Sequence, residues 1–184
     1  MNLDKAIYSR KSVKKFSKKK PDWRDIIECI DATRFAPMAG NNFSLKFIIV
    51  NDEGKIQKLA DAAQQDFIKF AQYVVVVCSN PKNTVNAFEE RGKTYLRQQA
   101  GAAIQNFLLK LQERELATCW VGHFVDDLVK ETLRIPKNID VEAMFPIGYE
   151  EGKTSKKNKI ELKNILYFNQ YKNPRMKTPK KLEV

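Results

Sequence analysis

The sequence predicts a mixed α+β domain, and three observations carry that prediction. Apolar residues recur at helical spacing in residues 23–35, 56–70 and 95–114. Residues 74–78 form an unbroken, mostly β-branched run suited to a strand covered on both faces, and Val141, Ala143, Phe145, Ile147 and Tyr149 alternate with the period of a strand. At 184 residues with 43% hydrophobic content, the chain can bury a sizeable core within one domain. That domain is assigned to residues 1–171, followed by a basic C-terminal tail at 172–184.

The elements follow in order. Leu3, Ala6 and Ile7 predict a short first helix that ends in the polar run Ser9-Arg10-Lys11-Ser12. Pro21 and Asp22 give the start signal for a helix with Trp23, Ile26, Ile27, Ile30 and Phe35 on its apolar face, and Pro37 stops it. Residues 37–44, rich in turn-formers, predict a loop, and Phe47 to Val50 a strand. A helix over Ile56, Leu59, Ala60, Ala63, Phe67 and Phe70 precedes the buried strand at 74–78. The mixed polarity of residues 80–94 predicts a mobile excursion, after which Ala100, Ala103, Ile104, Phe107, Leu108 and Leu111 trace a long central helix. Residues 117–122 predict a strand end, Asp126 or Asp127 caps a further helix, and residues 141–149 form the alternating strand. A basic loop at 153–159 and an aromatic strand or turn at 165–171 complete the chain.

Charge and composition exclude several classes. The net charge of +11 is concentrated at the ends: residues 1–20 hold eight Lys or Arg against one acid, and residues 153–184 hold ten against two. Such ends can hold a ligand phosphate, nucleic acid or an anionic surface. There is no signal-peptide core and no apolar run of about 18 residues, so a cytoplasmic protein without membrane association is expected. Cys29, Cys78 and Cys119 form no CxxC pair and read as reduced core thiols. With His123 the only histidine, no metal site is expected. The GxSxG, GxxxxGK[ST] and GxGxxG signatures are all absent.

Three separated segments point to one chemistry. Residues 10–16 read RKSVKKF, residues 36–45 read APMAGNNFSL, and residues 116–124 read LATCWVGHF after the long helix. Together they resemble the nitroreductase family, whose opening RRSxRxF, APSAGNxQPW loop and GLGTCWIGxF segment they parallel. The residues 145–149 (FPIGY) and 157–162 (KNKIEL) resemble its later PxGY and KxRxPLE elements. The resemblance implies a mixed central sheet flanked by helices, in an intertwined homodimer with two FMN sites at the interface. Arg10, Lys11, Ser12 and Lys14, with Lys157 and Lys159, would hold the flavin phosphate and ribityl chain. Pro37, Met38, Ala39 and Asn41 would surround the partner's flavin, and Gln64 or Gln65 would meet the pyrimidine edge.

Trp120, Val121 and Gly122 would lie against the flavin N5 and O4 region, where a main-chain N–H stabilises developing charge. Phe43 and His123 are the candidates to face substrate. Met38 stands where the family has serine, and Phe43-Ser44-Leu45 where it has Gln-Pro-Trp, which alters the expected substrate wall. The implied activity is hydride transfer from NADH or NADPH through flavin N5 to a small acceptor such as a nitroaromatic, quinone, enone or free flavin. No side chain need act as the acid. Two other readings stand beside it: an anion- or nucleic-acid-binding module using the basic termini, and a flavin-binding protein without turnover.

Overall fold

The structure, a computed structural model, describes residues 1–155 and 158–176. It divides into two compact units, Met1–Thr154 and Ser155–Val184. The first holds the helices α1 (Leu3–Ser9), α2 (Trp23–Asp31), α3 (Glu53–Ala63), α4 (Lys82–Glu113) and α5 (Asp126–Leu133). Its strands are β1 (Leu45–Val50), β2 (Tyr73–Ser79), β3 (Ala117–Thr118) and β4 (Asp140–Gly148), paired in the order β1-β2-β4-β3. All three pairings are antiparallel, so among the described residues the sheet is not the mixed one expected.

The strand side chains divide between two cores. Val75, Val77, Ala143, Phe145 and Ile147 join Ile26, Cys29, Ala103, Ile104 and Phe107 on the face covered by α2 and α4. Val74, Val76, Cys78 and Met144 join Ile56, Leu59, Ala60 and Val129 on the face covered by α3 and α5. Because β2 lies between β1 and β4 with helices on both faces, every one of its residues is buried, as the apolar run at 74–78 predicts. Between Val77 and Cys78 the register against β4 shifts past Glu142, which puts Val141 and Met144 on one face.

Four local expectations are corrected. The helix expected to continue through Phe70 ends at Ala63, where Gln64 takes a left-handed conformation; Phe67 and Phe70 lie in a separate 3₁₀ turn, Asp66–Phe70. Asp126 and Asp127 sit in the first turn of α5, whose N-cap is Val125 without a side-chain cap. Residues 80–94 are largely helix: α4 begins at Lys82 and is interrupted at Glu89 (φ 49°, ψ −133°). This arm folds back on the helix, and Gly92 makes the approach possible, since a Cβ there would lie 2.5 Å from the Thr84 carbonyl oxygen. Its buried positions are Thr84 and Gly92 rather than large apolar residues, so hydrophobic periodicity could not reveal it.

The fourth correction concerns residues 117–122. Strand β3 pairs with β4 only at Ala117 and Thr118, and the ladder resumes at Val121, which exchanges two 2.9 Å hydrogen bonds with Met144. In that register Cys119 faces Pro146, and hydrogen-bonding direction repeats every second residue, so Pro146 is the residue that should donate to Cys119. Having no N–H, it breaks the ladder there.

In the second unit a 3₁₀ turn at Leu162–Asn164 precedes turns rather than a strand. Tyr167 and Tyr171 meet edge to face at 5.1 Å, and Phe168 and Asn173 are joined by hydrogen bonds.

Candidate functional site

Two of the three segments singled out in the sequence are brought together by main-chain bonds. After α1 the chain runs extended along β3: Val13 N–H donates to Thr118 O at 2.9 Å, Ser17 N–H to Tyr149 O at 2.8 Å, and Glu151 N–H to Lys15 O at 3.0 Å. Val13 and Phe16 are buried, which anchors the segment and leaves Ser12 and Lys14 exposed and Arg10 half-buried. The end of α3 joins the same place, because Val125 N–H donates to Ala62 O at 2.9 Å. That bond sets Gln64 and Gln65 close in the chain to the point where the segment after His123 meets α3. Lys14 Nζ lies 4.9 Å from the Phe67 ring centroid, tying the N-terminal segment to the turn that follows Gln65.

Around these bonds the residues divide into paired and unpaired groups. Among the described residues, Arg10 and Lys14 have no ion-pair partner and Ser12 makes no side-chain hydrogen bond. Lys11 differs. Its ammonium lies 2.8 Å from Glu150 and 3.2 Å from Thr154 O, so its charge is already balanced. Burial acts to raise the Glu150 pKa, but hydrogen bonds from Lys11 and Thr154 outweigh it and hold the carboxyl below its ordinary value. Among the described residues the hydroxyls of Ser9 and Thr118 are buried without a hydrogen-bond partner, and both residues line a recess of about 290 Å³ with Arg10 and Lys11. Unsatisfied buried hydroxyls beside an unpaired guanidinium form a donor set suited to an anionic, polar ligand.

Trp120 to His123 supply an open wall. Val121 is fixed and buried by its bridge to Met144, whereas Trp120 is 44% exposed, with its indole edge to face against Phe145 at 5.5 Å. Among the described residues the N–H groups of Gly122 and His123 have no protein acceptor, and both residues are exposed. A Cβ on Gly122 would meet only the Trp120 indole, 3.5 Å away. A planar, electron-rich ring can therefore approach this main chain closely. The cationic donors, the free hydroxyls and the open N–H groups together fit an FMN. His123 is exposed and adds no hydrogen bond of its own among the described residues.

The loop at 37–43 lies elsewhere. It leads into β1, one edge of the sheet, while Arg10 to Lys14 run along β3 at the other edge. Gly40 (φ 58°) and Asn41 (φ 56°) are both left-handed, and a Cβ on Gly40 would come within 3.1 Å of the Phe88 ring. Pro37 and Asn41 are exposed, Met38 and Ala39 half-buried. Phe43, expected to face substrate, packs against the core on the α4 side.

Gln99 of α4, which sequence reasoning missed, fixes this loop. It is 4% exposed, donates to Asn42 O at 2.8 Å and accepts from Ser44 N–H at 2.9 Å. One glutamine among the four of this helix carries no motif; only its interruption of the apolar face marks it. Of the remaining candidates, Lys157 lies outside the described residues, and Lys159 is exposed in the second unit.

The model of the nitroreductase family matches residues 7–149. The chain belongs to the nitroreductase family. It is an oxidoreductase of the α+β nitroreductase fold. It is 29% identical over 150 residues to a protein of Archaeoglobus fulgidus provisionally named NADH dehydrogenase/NAD(P)H nitroreductase, covering 79% of this chain and 83% of that one. An iodotyrosine deiodinase of Thermotoga neapolitana is 24% identical over 190 residues, covering 88% and 95% of the two chains. Among solved structures, a nitroreductase family protein of Clostridium novyi superposes with a TM-score of 0.77 at 24% identity, covering 94% and 96%. The NADPH:FMN oxidoreductase of Vibrio harveyi, complexed with NAD+, gives 0.82 at 19% identity, covering 92% of this chain and 78% of that one.

Proposed function

We propose that the protein binds FMN and, as a homodimer, passes hydride equivalents from NADH or NADPH to a small organic acceptor such as a nitroaromatic, quinone, enone or free flavin, in a ping-pong cycle. One observation carries the reading. The Val13-to-Thr118 bond holds Arg10, Ser12 and Lys14, which have no ion-pair or side-chain hydrogen-bond partner among the described residues, along the strand that leads into the open main chain of Trp120 to His123.

In this reading the Arg10 guanidinium grips the phosphate as a two-pronged donor, Ser12 and Lys14 meet the ribityl chain, and Lys157 and Lys159 are the proposed closing cations. Lys11 acts through Glu150 to hold the segment rather than as a direct phosphate ligand. The N–H groups of Gly122 and His123 donate to the electron-rich edge of the ring, and Gln64 serves its pyrimidine side. Trp120 and Val121 wall the ring off from water. A bound FMN supplies the redox step itself, taking hydride from the nicotinamide and yielding it to the acceptor.

The dimer is supported by two features of the single chain. The loop at 37–43 and the Arg10 segment sit at opposite edges of a four-stranded sheet, three spacings or roughly 14 Å across. A second copy can bring its Pro37, Met38, Ala39 and Asn41 to the site where the chain's own loop does not stand. Large apolar side chains are also uncovered on α1 and α2, with Leu3 66%, Tyr8 75% and Trp23 47% exposed. No helix among the described residues is long and apolar enough to cross a membrane, and the reading places the protein in the cytoplasm with its nicotinamide donors.

The test is the visible spectrum of the purified protein, followed by anaerobic addition of NADH and then NADPH. Twin flavin bands that bleach with a nicotinamide are expected. A protein that neither carries FMN nor takes it up on reconstitution refutes the reading. Arg10→Ala is expected to weaken FMN binding by roughly tenfold or more, from the loss of a charge-assisted pair, while acceptor preference holds. Unchanged flavin occupancy counts against the assigned phosphate site.

A further inference from the structure

A second cleft, of about 890 Å³, opens beyond Lys14 on the side away from Arg10. Five lysines line it, Lys14, Lys15, Lys18, Lys20 and Lys69, against two acids, Glu53 and Glu151. Among the described residues only Lys69 of the five is ion-paired, to Asp66 at 3.1 Å. The other four are in no ion pair among the described residues, and two carboxylates against five ammonium groups leave the cleft with an excess of positive charge that an anion would relieve. The volume lies within the range of small-molecule and cofactor sites.

Two of these lysines are placed by aromatic rings. Lys14 Nζ sits 4.9 Å from the Phe67 centroid and Lys20 Nζ 5.2 Å from that of Tyr73. Such contacts restrict the long side chains while leaving their ammonium donors open to a second partner. Phe70 also lines the cleft, 59% exposed, with Lys69 Nζ at 5.4 Å from its ring. An exposed aromatic face among unpaired cations suits a phosphorylated nucleoside, whose base can stack while its phosphates meet ammonium groups.

The cleft adjoins the site already described along the N-terminal segment, since Lys14 lines the cleft and its neighbour Val13 lines the recess that holds Ser9 and Arg10. From Lys14 to Lys18 the backbone covers at most about 14 Å, a stretch that a pyrophosphate-linked dinucleotide can follow outward from the open wall at Gly122. We propose that this cleft binds the adenosine 2′-phosphate end of the nicotinamide donor, with Lys18 and Lys20 as the discriminating cations, so that NADPH is the preferred donor. The proposal rests on the redox reading above. It goes beyond it in naming the donor and the residues that select it. The 2′-phosphate carries the added negative charge that NADH lacks, and unpaired lysines reward only the ligand that has it.

The experiment has two arms. Calorimetric titration with adenosine 2′,5′-bisphosphate and with adenosine 5′-monophosphate needs no flavin; the bisphosphate is expected to bind about tenfold tighter or more, an advantage that shrinks with salt. In Lys18→Gln/Lys20→Gln that advantage is lost, and steady-state kinetics show KM for NADPH raised by about tenfold with KM for NADH held within about twofold. Equal binding of the two nucleotides, or an advantage untouched by the double substitution, overturns the proposal. Tighter binding of a single-stranded oligonucleotide than of the bisphosphate also overturns it, by making the cleft a polynucleotide track. A protein that neither carries nor takes up FMN yet still prefers the bisphosphate refutes the redox reading and the donor role resting on it while the 2′-phosphate site stands, so the two failures are distinguishable.

Discussion

Replacing Gln99 with leucine tests how the loop at 37–43 is held. The substitution conserves most of the buried volume and removes both polar contacts, the donor to Asn42 O at 2.8 Å and the acceptor for Ser44 N–H at 2.9 Å. Ser44 is 6% exposed, so its N–H would lose its partner where water cannot replace it, at a cost of about 1–3 kcal/mol. Asn42 is half-buried, and its carbonyl can be resolvated, adding no more than about 1 kcal/mol. A total of about 1–4 kcal/mol corresponds to a fall in Tm of roughly 3–12 °C for a chain of this size. The assay is urea and thermal unfolding of Q99L, with amide hydrogen exchange at Ser44. Gln99→Glu keeps the acceptor for Ser44 N–H but sets a buried carboxylate oxygen against Asn42 O, and should be at least as destabilised as Q99L at pH 7. Stability within about 0.5 kcal/mol of wild type, with Ser44 exchange unchanged, would refute the assignment of this glutamine as the clamp.

Three other outcomes follow from the structure. Gly92→Ala sets a Cβ against the Thr84 carbonyl oxygen at 2.5 Å and Val85 Cα at 2.8 Å, backbone atoms that cannot yield cheaply; a loss of about 1–3 kcal/mol is expected by urea unfolding, and a neutral result would mean that the arm at 82–88 does not pack as described. Burial pushes the Cys29 thiol up to about 12 and, with the nearby Glu142 carboxylate adding to burial, the Cys78 thiol up to about 11. The unfolded chain therefore releases these protons from about pH 9 while the native state retains them, so stability should decline from pH 9 toward 12, less steeply in Cys29→Ala, and native protein should resist thiol labelling at pH 8. The Lys11–Glu150 pair stabilises where Glu150 is ionised, and because its folded pKa is lowered the contribution is lost as pH falls below the ordinary 4.5. Lys11→Met should cost about 1 kcal/mol at pH 7 and less at pH 3, and an equal cost at both would remove the ion pair from the explanation.

The α+β class was legible in the sequence because it depends on periodicity. The run at 74–78 had to be a doubly covered strand, and the Ala-rich face from Ala100 to Leu111 had to be a buried helix, whatever their neighbours. The motif residues were legible for a similar reason: an Arg-Lys-Ser run and a Thr-Cys-Trp-Val-Gly segment carry their chemistry in side-chain type and glycine content. Their meeting was not legible, because it rests on hydrogen bonds between residues about a hundred positions apart, such as Val13 to Thr118.

Tertiary structure also decided which charges are available. Lys11 and Arg10 are adjacent basic residues, yet only Lys11 meets Glu150, a carboxylate far along the chain that balances it. The arm at 82–88 and the clamp at Gln99 lay outside the reach of pattern reading, since they are built from a threonine, a glycine and a glutamine whose burial is polar. Hydrophobic spacing records which faces leave water. It does not record which backbone groups find each other once they have, and in this protein those pairings place the site.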